Sequence, residues 1–151
     1  MRDLEEIIRE LDAIESIKKL KARYFRFVDE KKHDELAALF TPDARLTTDG
    51  ITWKSPTEFA NTIRDLTGSA PSVHHGHMPE IDITGPDTAT GIWAMEDLLT
   101  FPAGEGAPEG HHGYGQYHET YRKVQGQWLI DTLLLTRLRM DALDNWNADA
   151  A

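Results

Sequence analysis

SVHHGHMPEIDITGPDTATGIWAMEDLLTF, residues Ser72 to Phe101, is where the hydrophobic period of this chain changes from helical to alternating. Two alternating runs, Ser72–Thr84 and Thr88–Phe101, flank the turn signal Gly85-Pro86-Asp87, so the stretch predicts a long β-hairpin. Downstream the alternation returns in His111–Val124 and Gln127–Asp141, joined by Gln125-Gly126. Between the pairs, Ala103–Gly110 is rich in Gly and Pro and reads as a longer hairpin loop.

Upstream the period is helical. Leu4, Ile7, Ile8, Leu11, Ile14, Ile17, Leu20, Tyr24, Phe25 and Val28 recur at three-and-four spacing and predict a helix with one buried stripe. A short second helix, Glu35–Phe40, is capped by Asp34 and stopped by Thr41-Pro42-Asp43. Ala44–Thr48 reads as a short strand turning through Asp49-Gly50 into Ile51–Trp53. A third helix opens at Ser55-Pro56-Thr57-Glu58 and is carried by Phe59, Ile63 and Leu66. Helices first and long strands afterwards is the α+β pattern: a curved antiparallel sheet with helices on one face. If the helices cover only part of the concave face, an apolar pocket remains for a small molecule. Residues 1–144 read as one domain and 145–151 as a tail without pattern.

The 151 residues are 40% hydrophobic and can bury a core without disulfides, and there are no cysteines. That excludes thiol nucleophiles and thiolate metal sites and suits a reducing compartment, so a soluble, cytoplasmic protein is expected. Neither a signal peptide nor a membrane span is visible. With 26 acidic against 16 basic residues the net charge is −10, which disfavours a nucleic-acid partner. Charges of both signs are interspersed, as around Lys18–Arg23, and read as solvated surface.

Asp29 ends the first helix, where the unpaired carbonyls of the last turn raise a carboxylate's proton affinity and make a base of it. Asp97 breaks an apolar face formed by Trp93, Met95, Leu99 and Phe101. Burying it requires compensation, and Arg137, on a face with Leu133 and Leu135, is a candidate partner. A bulge turning Asp97 outward, and Arg137 as a surface charge, are the alternatives. The histidines His74, His75, His77, His111, His112 and His118 supply candidate general bases. Simple alternation turns His75 or His77 inward with Ile81 and Ile83, unless Gly76 and Pro79 mark a bulge that flips the register. Two histidines one residue apart can share a metal with His111 or Glu119, but no metal-site spacing is present and neither metal nor cofactor is expected. Tyr24 lies in the helix stripe and can donate a hydrogen bond into a pocket. Phe25 and Trp93 read as core or pocket wall. Phosphate loops, dinucleotide fingerprints and Ser-His-Asp order do not stand out.

IESIKKLKARYFRFVDEKKHDELAALFTPDA (Ile14–Ala44), the Pro56-Thr57-Glu58 helix, SVHHGHMPEIDI and WLIDTLLLTRLR together resemble SnoaL-like proteins of the nuclear transport factor 2-like superfamily. The resemblance implies a cone-shaped sheet with three N-terminal helices enclosing a pocket. Hexachlorocyclohexane dehydrochlorinase, scytalone dehydratase and bile-acid 7α-dehydratase in that superfamily use an Asp-His pair for elimination without a cofactor. The likeness places that pair at Asp29 and His74, against the simple alternation. It also places a Tyr at Tyr24, a second Asp at Asp97 and an Arg at Arg137, whereas a further pocket Tyr would fall near Thr48, which is no Tyr. The implied function is a lyase acting on a hydrophobic cyclic or aromatic small molecule, with His74 as base, Asp29 orienting it and Tyr24 assisting the leaving group. Asp97, Arg137, Trp93 and Phe25 would bind the substrate. A ketosteroid-isomerase-like isomerase and a non-catalytic binding module are the rivals. A homo-oligomer, trimer before dimer, is also implied.

Overall fold

The computed structural model describes residues 1–101 and 109–143. Most of the loop expected at Ala103–Gly110, and the tail expected at 145–151, lie outside the described residues. The elements run α1 (Leu4–Asp29), α2 (His33–Ala37), β1 (Phe40–Thr48), β2 (Ile51–Trp53), α3 (Pro56–Thr67), β3 (Ser72–Gly85), β4 (Thr88–Thr100), β5 (Gly110–Val124) and β6 (Gln127–Leu143).

Local chemistry sets the helix ends. Asp3 caps α1 by accepting from the Glu6 N–H at 2.7 Å, and Ser55 caps α3 by accepting from Glu58 N–H at 3.1 Å, with Pro56 in its first turn. At the other end of α1, Lys31 takes a left-handed φ of 61° and Lys32 N–H closes back onto the Phe27 carbonyl at 2.9 Å. The second helix starts earlier than expected, so Asp34 lies inside its first turn instead of capping it, and Phe40 already belongs to β1. Pro42 is tolerated in β1 because pairing with β6 is interrupted between Phe40 and Arg45.

Among the described residues one six-stranded sheet has the order β2-β1-β6-β5-β4-β3. All pairings are antiparallel except β1 with β6, which is parallel because the chain crosses from β1 through β2 and α3 to the far edge before returning. Register shifts between Gly76 and Pro79 on β3, and along β5–β6 near Gly115 and Tyr121, bend the sheet. Its concave face carries Trp93, Met95, Tyr117, Tyr121, Ile130, Leu133 and Leu135, and α1 covers these with Ile17, Leu20, Tyr24, Phe25 and Val28. The apolar stripe of α1 is buried only from Ala13 onward: Leu4, Ile8 and Leu11 are exposed, as is Leu66 of α3. Among the described residues no helix is long and apolar enough to cross a membrane.

Candidate active site

The C-terminus of α1 meets the start of β3, and this brings Asp29 to His74. Asp29 Oδ1 lies 2.7 Å from His74 Nδ1, and Oδ2 accepts the His74 backbone N–H at 2.9 Å. Oδ1 also accepts from the Ser72 hydroxyl at 3.0 Å, and Ser72 in turn receives the Lys31 ammonium at 2.9 Å. A carboxylate at Nδ1 holds the proton there and leaves Nε2 with its lone pair toward the site. The His74 side chain is only 9% exposed, whereas His75 and His77 face solvent. Simple alternation therefore fails here for a definite reason: Gly76 pairs with Met95 and Pro79 with Trp93, an extra residue between them. This bulge puts His74 and Gly76 inside together with Pro79, Ile81 and Ile83.

In register, His74 stands opposite Asp97, and Asp97 opposite Gly113. Asp97 points inward, is 3% exposed, and receives Arg137 through a two-pronged contact of 2.7 and 2.9 Å. Arg137 Nε donates to Asp49 at 3.0 Å. His111 Nε2 lies 3.5 Å from Asp97 Oδ1, and the described residues offer it no closer partner. Burial alone would raise the Asp97 pKa, but His111 and the Arg137 guanidinium outweigh it and hold the carboxyl well below the usual range. Burial likewise works against the Arg137 charge, and the bonds to Asp97 and Asp49 more than restore it. Gly113 is required by this fork: a Cβ there would fall 2.4 Å from both Arg137 Nη1 and Asp97 Oδ1.

Tyr24 and Tyr117 form the floor, with ring centroids 5.9 Å apart. Burial, aided by the Glu119 and Asp97 charges, pushes both phenols above the ordinary tyrosine value, so they stay protonated as donors. Phe25 packs edge-on against Trp93 at 6.4 Å, and its ring occupies the space a Cβ on Gly76 would take. Trp93 Nε1 is engaged by the Tyr121 hydroxyl at 2.9 Å.

Beneath the floor lies a pair that the composition reading places on the surface. Lys21 is fully buried; its ammonium donates to Glu119 at 2.5 Å and sits 3.7 and 3.6 Å over the rings of Tyr24 and Tyr117. The other Glu119 oxygen takes the Tyr121 hydroxyl at 2.5 Å. Burial lowers the Lys21 pKa to about 8, with Glu119 opposing the shift. Tyr117, Ser72 and Lys21 are thus the residues that sequence reasoning did not single out, while it weighed His111 only as a base or metal ligand and Glu119 only as a metal ligand. For the odd-numbered residues of β5 the available signal was alternation, which sets 111, 117 and 119 on one face.

Among the described residues no three His, Asp or Glu side chains converge as a metal site. His75 and His77 lie on the opposite sheet face from His111 and Glu119, which rules out the shared site that spacing alone allowed. Two cavities of about 280 and 520 Å³ border α1 and the β3–β4 and β5–β6 turns, at the other ends of the strands, and include none of these residues.

Helices laid across the concave side of a curved open sheet, with polar pairs at one mouth, define an NTF2-like α+β cone. The chain belongs to the SnoaL-like domain family, whose sequence profile matches residues 9–133. A protein of Gibberella zeae named "Probable cyclase FGR4" is 28% identical over 142 residues, covering 84% of this chain and 92% of that protein. A hexachlorocyclohexane dehydrochlorinase of Novosphingobium barchaimii superposes with a TM-score of 0.77 at 21% identity, over 90% of this chain and 93% of that one. A scytalone-dehydratase-like protein of Novosphingobium aromaticivorans gives 0.77 at 20% identity, over 89% of each chain.

Proposed function

We propose that this chain is a cofactor-independent lyase, a dehydratase or related elimination enzyme, acting on a hydrophobic cyclic or aromatic small molecule. The observation that carries the reading is the 2.7 Å contact of Asp29 with His74 Nδ1 beside a floor of aromatic rings. His74 Nε2 takes a proton from a substrate carbon, the C–H electron pair forms the new double bond, and the leaving group departs with its own bonding pair. Asp29 stabilises the imidazolium. Four of the five Arg137 N–H groups are spent on Asp97, Asp49 and the Met95 sulfur, and the remaining one, with the Tyr24 hydroxyl, serves the departing group. Phe25, Trp93 and Tyr117 supply the apolar surface for the ring. The relatives support this reading, since the names of the three proteins compared above all denote enzymes that reshape carbon skeletons or eliminate from them.

The test is incubation with a panel of aromatic and steroidal alcohols and product mass measurement. Loss of water or another group is expected. His74→Gln should lower turnover by roughly 10²–10⁴-fold with the fold intact, and undiminished turnover overturns the assignment. An unchanged product mass would indicate isomerisation instead. Against that rival, an ionised Asp97 has no proton to donate to an oxyanion. Binding without turnover would indicate a carrier. We further propose a cytoplasmic homo-oligomer, trimer before dimer, joined through the convex sheet face, where Ile92, Leu134 and Leu138 are exposed.

A further inference from the structure

We infer that Lys31 and Ser72 are positioning residues, forming a hydrogen-bonded relay from the Lys31 ammonium through the Ser72 hydroxyl to Asp29 that orients the carboxylate and balances the charge of the Asp29–His74 pair. The inference rests on the catalytic reading of that pair.

Lys31 occupies the left-handed position that ends α1, with φ 61°, where glycine is the usual occupant because a side chain there is strained. A lysine held in that conformation has its side chain directed across the helix end, and Nζ reaches Ser72 Oγ at 2.9 Å. An ammonium can only donate, so the serine oxygen must accept from it. The single serine proton is then committed to Asp29 Oδ1 at 3.0 Å, the same oxygen that faces His74 Nδ1 at 2.7 Å. With the His74 backbone N–H on Oδ2, donors on both oxygens fix the carboxylate against rotation. Lys31 also adds a positive charge. The charged groups linked to His74 are Asp29 from α1 and Asp97 from β4, with His111 of β5 and Arg137 of β6 on Asp97, and Lys31 from the turn reaching Asp29 through Ser72. Two carboxylates and two cations thus make up the network around the pair, and removing Lys31 leaves the negative charges in excess.

The experiment follows the His74 imidazole by NMR titration in the full chain, without substrate, alongside thermal unfolding. Lys31→Gly should raise the titration midpoint by about half a pH unit, roughly threefold in proton affinity. Its unfolding temperature should equal or exceed that of the parent chain, because glycine accepts the left-handed turn. Ser72→Ala should move the midpoint in the same direction, and Lys31→Arg should restore the parent value. A Lys31→Gly midpoint that stays at the parent value while the unfolding temperature falls would mean a purely structural tie and overturns the relay. An equal shift in Lys31→Arg overturns it as well. Failure of the lyase reading shows up in His74→Gln turnover, a separate measurement.

Discussion

At Gly113 the absence of a side chain is what lets Arg137 reach Asp97. No left-handed backbone is needed there, so alanine is conformationally acceptable and its effect comes from crowding alone. Gly113→Ala should cost about 1–3 kcal/mol by thermal denaturation and also depress turnover, because the fork must open; an unchanged unfolding temperature would show that Arg137 can move freely. Residues of this kind differ in how far the sequence betrays them. Asp97 and Arg137 are legible because each interrupts an apolar face, and Asp29 because it ends a helix where a negative charge is disfavoured. His74 is not legible from alternation, since one extra residue between Gly76 and Pro79 reverses the parity of everything before it. Gly76 and Pro79 leave that reversal open, and the family likeness selects His74. Ser72 and Lys31 carry no pattern at all, as their roles depend on two elements far apart in sequence meeting at 2.9 Å.

α1 is the element on which the site is hung, and its length and stripe were readable from spacing. The four long strands were readable too, because alternation over a dozen residues with glycine turns between has one interpretation. What spacing could not supply is where α1 stops being covered. Leu4, Ile8 and Leu11 continue the stripe yet stay in solvent, while Lys21, one turn before Phe25, is fully buried. Burial there depends on an acid from β5, Glu119, arriving 98 residues later. Removing one partner strands the other charge in an apolar setting. Lys21→Met should therefore destabilise the fold by about 3–5 kcal/mol, whereas Lys21→Met with Glu119→Gln, which keeps a partner for Tyr121, should recover most of the loss. Urea unfolding of the two variants decides it; equal losses would mean that the pair is not energetically coupled.

Across the whole molecule the buried ionisable groups act at different pH ranges and with different signs. Asp97 is held below the ordinary value of 3.8, so its contribution is present above that value and is lost as pH falls below it. Lys21 is lowered to about 8 from 10.5, so between those values the unfolded chain binds more protons and stability rises with pH. Tyr24, Tyr117 and Tyr121 are raised above 10.0, so their contribution is complete below that value and is lost above it. Burial lowers Lys31 in the same direction, yet two lysines against three phenols leave the alkaline loss the larger. The net charge of −10, growing more negative as pH rises, adds repulsion to it. Urea midpoints measured from pH 3 to 11 should thus trace an acid loss, a rise above about 8 and a collapse above about 10. In the Lys21→Met, Glu119→Gln double variant the middle rise should shrink to what Lys31 supplies while the acid limb stays, because Asp97 and Arg137 are untouched. A parent chain whose midpoint falls steadily from pH 7 to 10 would contradict a lysine enclosed between two aromatic rings, and with it the packing of α1 against β5 on which the floor of the site depends.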